Sequence, residues 1–456
     1  MRDSQTFEND GARESGGLAA RRAAFLLLDA VLTRRQALDD ALERATAPTG
    51  ALAEVPEARD RGFARTMVLT VLRRLGQIDQ LIDRYMAHEP KGKAQSVRHI
   101  LRLGTAQIIF LGTPPHAAVD TSVALAVALR LGAFKGLVNA ILRRIAKEGT
   151  AIARKQEPGR LNSPAWLRER WIAAYGEAAA RAIGEAHLGE PPLDLTLADA
   201  STGADWAARL GGQLLDRAGT VRLAQTGDVR ALPGFAEGAW WVQDAAAALP
   251  ARLLAEAAGG LADKRVIDLC AAPGGKTAQL AAMGASVTAL DRSAPRLRRL
   301  SENLARLSLT AEVVTADAAE WRPEVPVDAI LLDAPCSATG TLRRHPDIAH
   351  LKGQGDVDRL AALQRRLIAA AADMLNPGGV LVYATCSLQP EEGEEAVEAA
   401  LADGLPLERI VEAPAALGGF REALRRDGSV RTLPYLRGEE GGCDGFFIAR
   451  LRKRPG

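Results

Sequence analysis

Two of the four cysteines stand in matching contexts. Cys336 lies in Asp333-Ala334-Pro335-Cys336-Ser337-Ala338-Thr339-Gly340 and Cys386 in Ala384-Thr385-Cys386-Ser387, each just beyond an apolar run of strand-forming residues, Ala329–Leu332 and Val380–Tyr383. A thiolate is a strong nucleophile once cationic or hydrogen-bonding surroundings lower its pKa. One reaction that needs it is methylation of carbon 5 of a cytosine, a poor nucleophile until a thiolate adds to carbon 6 and makes the ring enamine-like. The adduct must then lose the carbon 5 proton and expel the sulfur, and a second cysteine can assist that release. Asp333 is the candidate for the group beside ring N3, holding or donating a proton as charge develops there. Exocyclic-amine methyltransferases place Asp/Asn-Pro-Pro-aromatic at such a strand end, and Asp333-Ala334-Pro335-Cys336 departs from it in favour of carbon. The chemistry alone leaves open which cysteine attacks.

A methyl donor needs its own site. The run Val266–Leu269 leads into Cys270-Ala271-Ala272-Pro273-Gly274-Gly275-Lys276-Thr277, a small-residue turn that lets a ligand approach the backbone, with a helix expected from Lys276. Asp291 ends the next strand, 16 residues after Gly275, where a carboxylate can accept from both hydroxyls of a ribose. Asp317 ends the strand after that, in Thr315-Ala316-Asp317, and is placed to face an adenine amino group. Lys276-Thr277 follows paired glycines without the spacing of a P-loop, and no GxGxxG accompanies the first strand. These residues point to S-adenosylmethionine. No metal site is expected.

Two kinds of domain must position these groups. From Asp263, short strands (Val266–Leu269, Ser286–Leu290, Glu312–Val314, Ala329–Leu332, Gly379–Tyr383) alternate with helical stretches (Lys276–Met283, Ala294–Leu307, Leu360–Leu375). That alternation implies an α/β fold, a doubly wound and mostly parallel Rossmann-like sheet that binds ligands beyond the carboxyl ends of its strands. Upstream, helix-period segments (Ala23–Leu28, Phe63–Leu75, Ile78–Met86, Val97–Leu111, Val119–Leu131, Gly136–Ile145) predict an all-helical domain. Between them, Thr150–Arg160 reads as a linker or the end of the last helix, and Ser163-Pro164 as a helix start with Ser163 as cap. Leu193–Leu197, Ala204–Leu210 and Val221–Leu223 suggest a small α/β segment. The expected division is a disordered tail at 1–17, a helical domain at 18–150, a linker and small segment at 151–240, and the methyltransferase domain at 241–456.

Composition narrows the setting. The 456 residues carry a net charge of only +2, yet 25 Lys and Arg stand against 17 Asp and Glu up to Asn162, while the rest of the chain is net −6. A basic N-terminal third favours a polyanionic partner. The four scattered cysteines, completed by Cys270 and Cys443, suit neither a disulfide scaffold nor a zinc site. No apolar run approaches a membrane span, and the polar start, with Asp3, Glu8, Asp10 and Glu14, is unlike a signal peptide. A soluble cytoplasmic monomer is the expectation.

The motifs Asp268–Lys276, Leu332–Gly340 with Arg343-Arg344-His345-Pro346-Asp347, Tyr383–Ser387 with Pro390-Glu391-Glu392, and Asp444-Gly445-Phe446-Phe447 together resemble the RsmB (Sun/Fmu) family of bacterial ribosomal RNA cytosine-5 methyltransferases. Pro115–Asp120 and Val138–Arg144 resemble the NusB-like RNA-binding domain fused to that family. The likeness runs from about Leu18 to the end; Thr432-Leu433-Pro434-Tyr435 departs from the Pro-His often seen there, and Trp240–Asp244 is the best anchor within a less distinct middle. The resemblance implies that Cys386 attacks and Cys336 aids release, and that Cys270, Ala271, Ala272, Pro273, Gly274, Gly275, Lys276, Asp291, Asp317 and Asp333 line the S-adenosylmethionine site. Asp333 then has two possible duties. It further implies small-subunit ribosomal RNA as substrate and partner, with transfer RNA, or a non-catalytic NusB-like RNA-binding factor, as rivals. The attacked cytosine must be single-stranded or flipped out, since stacking covers the face a thiolate approaches. Arg143, Arg144, Lys147, Arg154, Lys155 and Arg160 are candidates to hold the surrounding phosphates.

Overall fold

The computed structural model describes residues 4–88, 90–224 and 227–455. The chain divides into two compact units, one of residues 1–169, 180–188 and 345–352, the other of residues 170–179, 189–344 and 353–456.

The first unit is built on seven helices: α1 (Ser4–Leu32), α2 (Leu38–Thr46), α3 (Ala58–Arg73), α4 (Leu75–Asp83), α5 (Val97–Ile109), α6 (Pro115–Ala128) and α7 (Lys135–Ala153). Each turns an apolar stripe inward. In α3, Ala64, Met67, Val68, Val71 and Leu72 recur at the spacing of one helix face and all are buried. Side chains from all seven helices join in one core. Of the expected tail at 1–17, residues 4–17 fall within the span of α1. Residues 1–3 of that tail lie outside the described residues.

The stretch read as a linker is taken up by the end of α7 and by α8 (Pro158–Leu161), and α9 (Ala165–Tyr175) and α10 (Glu177–Ala186) follow. Ser163 does not act as the expected cap; its hydroxyl donates backwards to the carbonyl of Gly159 at 2.7 Å.

The second unit holds two sheets. The smaller is antiparallel, in the order β2–β3–β1–β4, with β1 (Leu193–Leu197), β2 (Gln213–Leu214), β3 (Thr220–Leu223) and β4 (Trp240–Val242), and with α11 (Gly203–Leu210) between β1 and β2. Arg222 donates to both carboxylate oxygens of Asp194 at 2.6 and 2.7 Å, a buried and fully hydrogen-bonded pair. Because β4 pairs with β1, Leu195 opposite Val242 and Leu197 opposite Trp240, the expected boundary after residue 240 cuts through a strand; Trp241 and Val242 belong to the small sheet.

The large sheet follows in chain order through α12 (Leu249–Ala257), β5 (Arg265–Leu269), α13 (Gly275–Ala282), β6 (Ser286–Asp291), α14 (Ala294–Arg306), β7 (Glu312–Thr315), β8 (Val327–Asp333), α15 (Ile348–Leu351), α16 (Gln354–Met374), β9 (Leu375–Thr385), α17 (Glu394–Ala402), β10 (Leu407–Arg409), β11 (Val430–Thr432) and β12 (Phe446–Lys453). Of these, α15 lies in the His345–Lys352 segment that counts with the helical unit. The strand order is β10–β12–β9–β8–β5–β6–β7, with β11 also on β12; β5 to β9 are parallel and the last three antiparallel. This is the Rossmann-like, mostly parallel architecture the alternation predicts.

Both faces of the sheet are covered. Along β8 and β9, Ile330, Leu332, Leu381 and Tyr383 point into one apolar layer with Leu367, Ile368 and Val397, whereas Ala329, Leu331, Val380 and Val382 point into the other with Leu249, Leu253 and Phe420. At roughly 1.5–3 kcal/mol for each large side chain buried, these two layers fix the register of the central strands. Strand β5 has β6 on one side and β8 on the other, so sheet growth reverses there and a crevice opens at the carboxyl ends.

Candidate active site

The cofactor turn leaves β5 at Leu269. Cys270 takes a left-handed φ of +62° and Gly274 one of +102°, so the chain folds back on itself before α13 begins at Gly275. Asp268, wholly buried at the end of β5, accepts from the Thr277 hydroxyl at 2.6 Å, while its other oxygen has no hydrogen-bond partner. Burial pushes its pKa up to about 7. Burial and the charge of Asp291 raise Cys270 far above a normal thiol, so that it stays neutral.

Asp291 ends β6 as expected. It is buried, accepting from the backbone N–H of Ala272 at 3.2 Å and of Ser293 at 2.9 Å. It thereby ties two adjacent turns together, a structural duty beside the one foreseen. Strand β7 stops at Thr315, so Asp317 lies two residues beyond the strand rather than at its end, and it accepts from the N–H of Ala319 at 2.9 Å. Seven of the expected residues converge: Cys270, Ala272, Asp291, Asp317, Asp333, Cys336 and Cys386 line one cavity of about 250 Å³, whereas Ala271, Pro273, Gly274, Gly275 and Lys276 are not among its lining residues.

The donor set fits S-adenosylmethionine. Its ammonium, two ribose hydroxyls and adenine amine all donate, and it carries a sulfonium charge; the cavity offers the carboxylates of Asp291, Asp317 and Asp333 as acceptors and countercharge.

The two cysteines meet because β8 and β9 are neighbours in register, Asp333 opposite Ala384. Their sulfurs are 3.4 Å apart. The N–H of Gly340 donates to the carbonyl of Cys386 at 2.9 Å, and that of Gly445 to the carbonyl of Gly340 at 2.8 Å. A Cβ at Gly340 would stand 2.0 Å from the Gly445 oxygen, so only glycine permits this crossing of loops. The hydrogen bond to Cys386, burial and the charge of Glu392 all raise the Cys336 thiol. Cys386 instead feels the cations of Lys276 and Arg344.

Lys276 donates from Nζ to Oδ2 of Asp333 at 2.7 Å. Burial works against its charge, but the carboxylate outweighs it and the ammonium is held above its usual range. The ammonium also faces the ring of Phe446, 5.3 Å from its centroid. Arg343 and Arg344 follow the Cys336 loop and are fixed by carboxylates: Arg343 donates to Asp244 at 2.7 Å and to Asp444 at 3.2 Å, and Arg344 also pairs with Asp444.

A buried network behind the sulfurs had no role assigned from sequence. Glu392 accepts from the hydroxyls of Ser337 and Ser387, each at 2.5 Å, and from the N–H of Ser337 at 2.8 Å. Its backbone carbonyl accepts from the Tyr383 hydroxyl at 2.7 Å and that of Thr385 at 3.1 Å. Burial raises the carboxyl despite these donors. The available signal was the serine after each cysteine, Cys336-Ser337 and Cys386-Ser387, together with an acid a few residues on. The fourth cysteine, Cys443, is buried, and burial raises its thiol well above normal; it belongs to the core. Arg143, Arg144, Lys147, Arg154, Lys155 and Arg160 are all exposed on the helical unit.

Among the described residues no cluster of ligands suited to a metal ion occurs, and no helix is long and apolar enough to cross a membrane. Residues 260–452 match the family described as 16S rRNA methyltransferase RsmB/F, and residues 18–147 match the NusB family. A ribosomal RNA small subunit methyltransferase B from Klebsiella pneumoniae subsp. pneumoniae is 37% identical over 437 residues, covering 92% of this chain and 97% of that protein. The protein of the same name from Salmonella agona is 38% identical over 410 residues, covering 87% and 91%. The crystal structure of PH0851 shares the fold, with a TM-score of 0.71 at 20% identity over 95% of this chain and 99% of that one. The chain therefore belongs to the RsmB/F family of 16S rRNA methyltransferases, as an S-adenosylmethionine-dependent RNA methyltransferase with a NusB-like helical region ahead of its catalytic sheet.

Proposed function

We propose that the protein methylates carbon 5 of a cytosine in small-subunit ribosomal RNA through a covalent bond to Cys386. The observation that carries this reading is the pair of sulfurs 3.4 Å apart, lining the same cavity as Asp291, Asp317 and Asp333. The names of its relatives support the RNA.

The surroundings favour Cys386 as the attacker. The cations Lys276 and Arg344 have Cys386 as a charge neighbour, whereas the neighbour of Cys336 is the carboxylate of Glu392. Cys386 bonds to carbon 6, and the π electrons of the C5–C6 bond move toward carbon 5 and the N3 side of the ring. Asp333, held by Lys276, accepts from the cytosine amine and keeps the ring oriented. S-adenosylmethionine, held by the Cys270–Lys276 turn, Asp291 and Asp317, supplies the methyl group that carbon 5 takes.

Release needs a base. With the sulfur of Cys386 bonded to carbon, its hydrogen bond with Cys336, the largest of the causes that raise that thiol, is gone, and the Cys336 proton can pass to water. The Cys336 thiolate then takes the carbon 5 proton, the C5–C6 double bond re-forms, and Cys386 leaves as a thiolate. One proton is produced per methyl transferred, and both sulfurs return to their starting states. The helical unit, with its exposed arginines and lysines, holds RNA around the target. The four cysteines are free thiols, as the cytoplasm would keep them.

The test is incubation with labelled S-adenosylmethionine and deproteinised small-subunit RNA, then bisulfite mapping. Label at one cytosine as 5-methylcytosine is expected. Label in transfer RNA alone would overturn the substrate, and label on an exocyclic nitrogen the chemistry.

A further inference from the structure

The helical unit contains a cavity of about 930 Å³ that the catalytic chemistry does not use. Arg35, Arg98, Arg102 and Lys352 line it with His99 and Trp166, and no Asp or Glu is among the lining residues described. Two of the cations are anchored from behind. Arg102 donates to both oxygens of Asp79 at 2.8 and 2.7 Å, and Arg98 donates to Asp83 at 2.7 Å. Arg102 also donates to Nδ1 of His99 at 3.2 Å, which leaves the proton of that ring on Nε2, directed at the Thr33 hydroxyl at 3.1 Å. These guanidiniums are preorganised rather than free to wander.

The other two cations have no carboxylate partner. Arg35 takes a left-handed φ of +55°, which residues other than glycine rarely adopt, and donates to the carbonyls of His350 and Leu351 at 3.1 and 2.6 Å. The Lys352 side chain makes no ion pair or hydrogen bond with the described residues. Asp79 and Asp83 thus neutralise at most two of four positive charges. The ring of Trp166 is half-buried and completes a wall.

We propose that this cavity binds a single-stranded nucleotide of the substrate RNA, with the base against Trp166 and the flanking phosphodiesters among Arg35, Arg98, Arg102 and Lys352. A volume of this size suits a nucleotide, an aromatic wall stacks a base of any sequence, and guanidiniums match phosphate oxygens. The proposal rests on the reading of the chain as an RNA methyltransferase and adds a contact distant in role from the reacting cytosine. The segment His345–Lys352 that contributes Lys352 continues in sequence from the Cys336 loop, and within the helical unit it is fixed by Asp347, which accepts from the N–H of Leu38 at 2.9 Å.

The experiment is fluorescence anisotropy of a short fluorescein-labelled single-stranded RNA against the full chain over a range of KCl. Lys352→Ala should weaken binding and reduce the slope of log K against log salt by about 0.7, the value for one phosphate contact on a single strand. Trp166→Ala should weaken binding about tenfold with the slope unchanged, and Trp166→Phe should restore most of it. Circular dichroism checks that each variant folds; if Trp166→Ala does not, Trp166→Phe and Lys352→Ala decide the matter. Unlabelled uridine and adenosine monophosphates should not displace the RNA at comparable concentrations. Wild-type binding in Lys352→Ala or in a folded Trp166→Ala overturns the proposal, and so does displacement by mononucleotides, which would make this a free-nucleotide site. Methyl transfer by the wild type, measured in parallel, separates the two readings: transfer with unaffected RNA binding in the variants sinks only the cavity, and no transfer with impaired binding sinks only the methylation.

Discussion

The sulfurs of Cys336 and Cys386 lie 3.4 Å apart yet face opposite charges, Glu392 on the first and Lys276 with Arg344 on the second. In the proposed mechanism that asymmetry divides their duties. Cys336→Ala should accumulate a protein–RNA adduct that survives denaturation, because attack proceeds and release fails. Cys386→Ala should form no adduct and transfer no methyl group. Denaturing gels with labelled RNA distinguish the two, and the reverse pattern would exchange the assignments.

Glu392 is a positioning residue. Its carboxylate takes both serines that follow the cysteines, so it sets the distance between the loops that carry them. Glu392→Gln keeps the size and loses the charge that four donors address, the Ser337 N–H and hydroxyl, the Ser387 hydroxyl and the Gln364 amide. A hydrogen bond to a charged group contributes about 1.5–3 kcal/mol, so a loss of stability of that order is expected in urea titrations. Adduct formation should slow, while S-adenosylmethionine binding by calorimetry stays at the wild-type value. A variant that loses cofactor affinity and leaves adduct formation untouched would contradict this role.

Much of this site was legible because its parts are local. A strand, a small-residue turn and an acid at the next strand end announce a nucleoside site at Cys270–Lys276 and Asp291, and cysteines at strand ends announce themselves. What escaped depended on long-range pairing. Glu392 reads as one acid among four in Glu391-Glu392-Gly393-Glu394-Glu395 until the fold brings it against Ser337. The fold shows the same division: α3 to α7 carry repeated large apolar residues, whereas α2 buries only Leu38, Ala41 and Ala45, too weak a period to see. The short β10 and β11 exist as strands because β12 supplies their hydrogen bonds, which no local pattern encodes.

Lys276 and Asp333 should behave as one unit, since the ammonium donates to the carboxylate at 2.7 Å and neither is fully exposed. Lys276→Met leaves Asp333 without its cation and removes one of the positive charges facing Cys386. A fall in kcat/KM of about 100-fold is expected, corresponding to roughly 2.7 kcal/mol. Asp333→Asn should cost a similar factor. In the double variant the losses should fall short of additive by at least about 1 kcal/mol, the sign of direct coupling. Fully additive effects in steady-state methyl transfer would mean that the two residues act separately.

His99 makes the helical unit sensitive to acid. Burial and the adjacent Arg102 lower its pKa from 6.5 to about 4, and the neutral ring accepts from that arginine. With the folded value below the unfolded one, the stabilising contribution is complete above about pH 6.5 and is lost as pH falls toward 4. At 1.36 kcal/mol for each tenfold change in proton affinity, the loss across that window approaches roughly 3 kcal/mol. His350, also lowered by burial, adds to it with the same sign. In His99→Gln the amide can still accept from Arg102 and donate to Thr33, so the variant should fold and show a flatter dependence of urea midpoint on pH between 6.5 and 4. NMR titration of the wild-type His99 ring should give a midpoint near 4, and a midpoint near 6.5 would show that the ring charges freely and that acid destabilises this unit by another route.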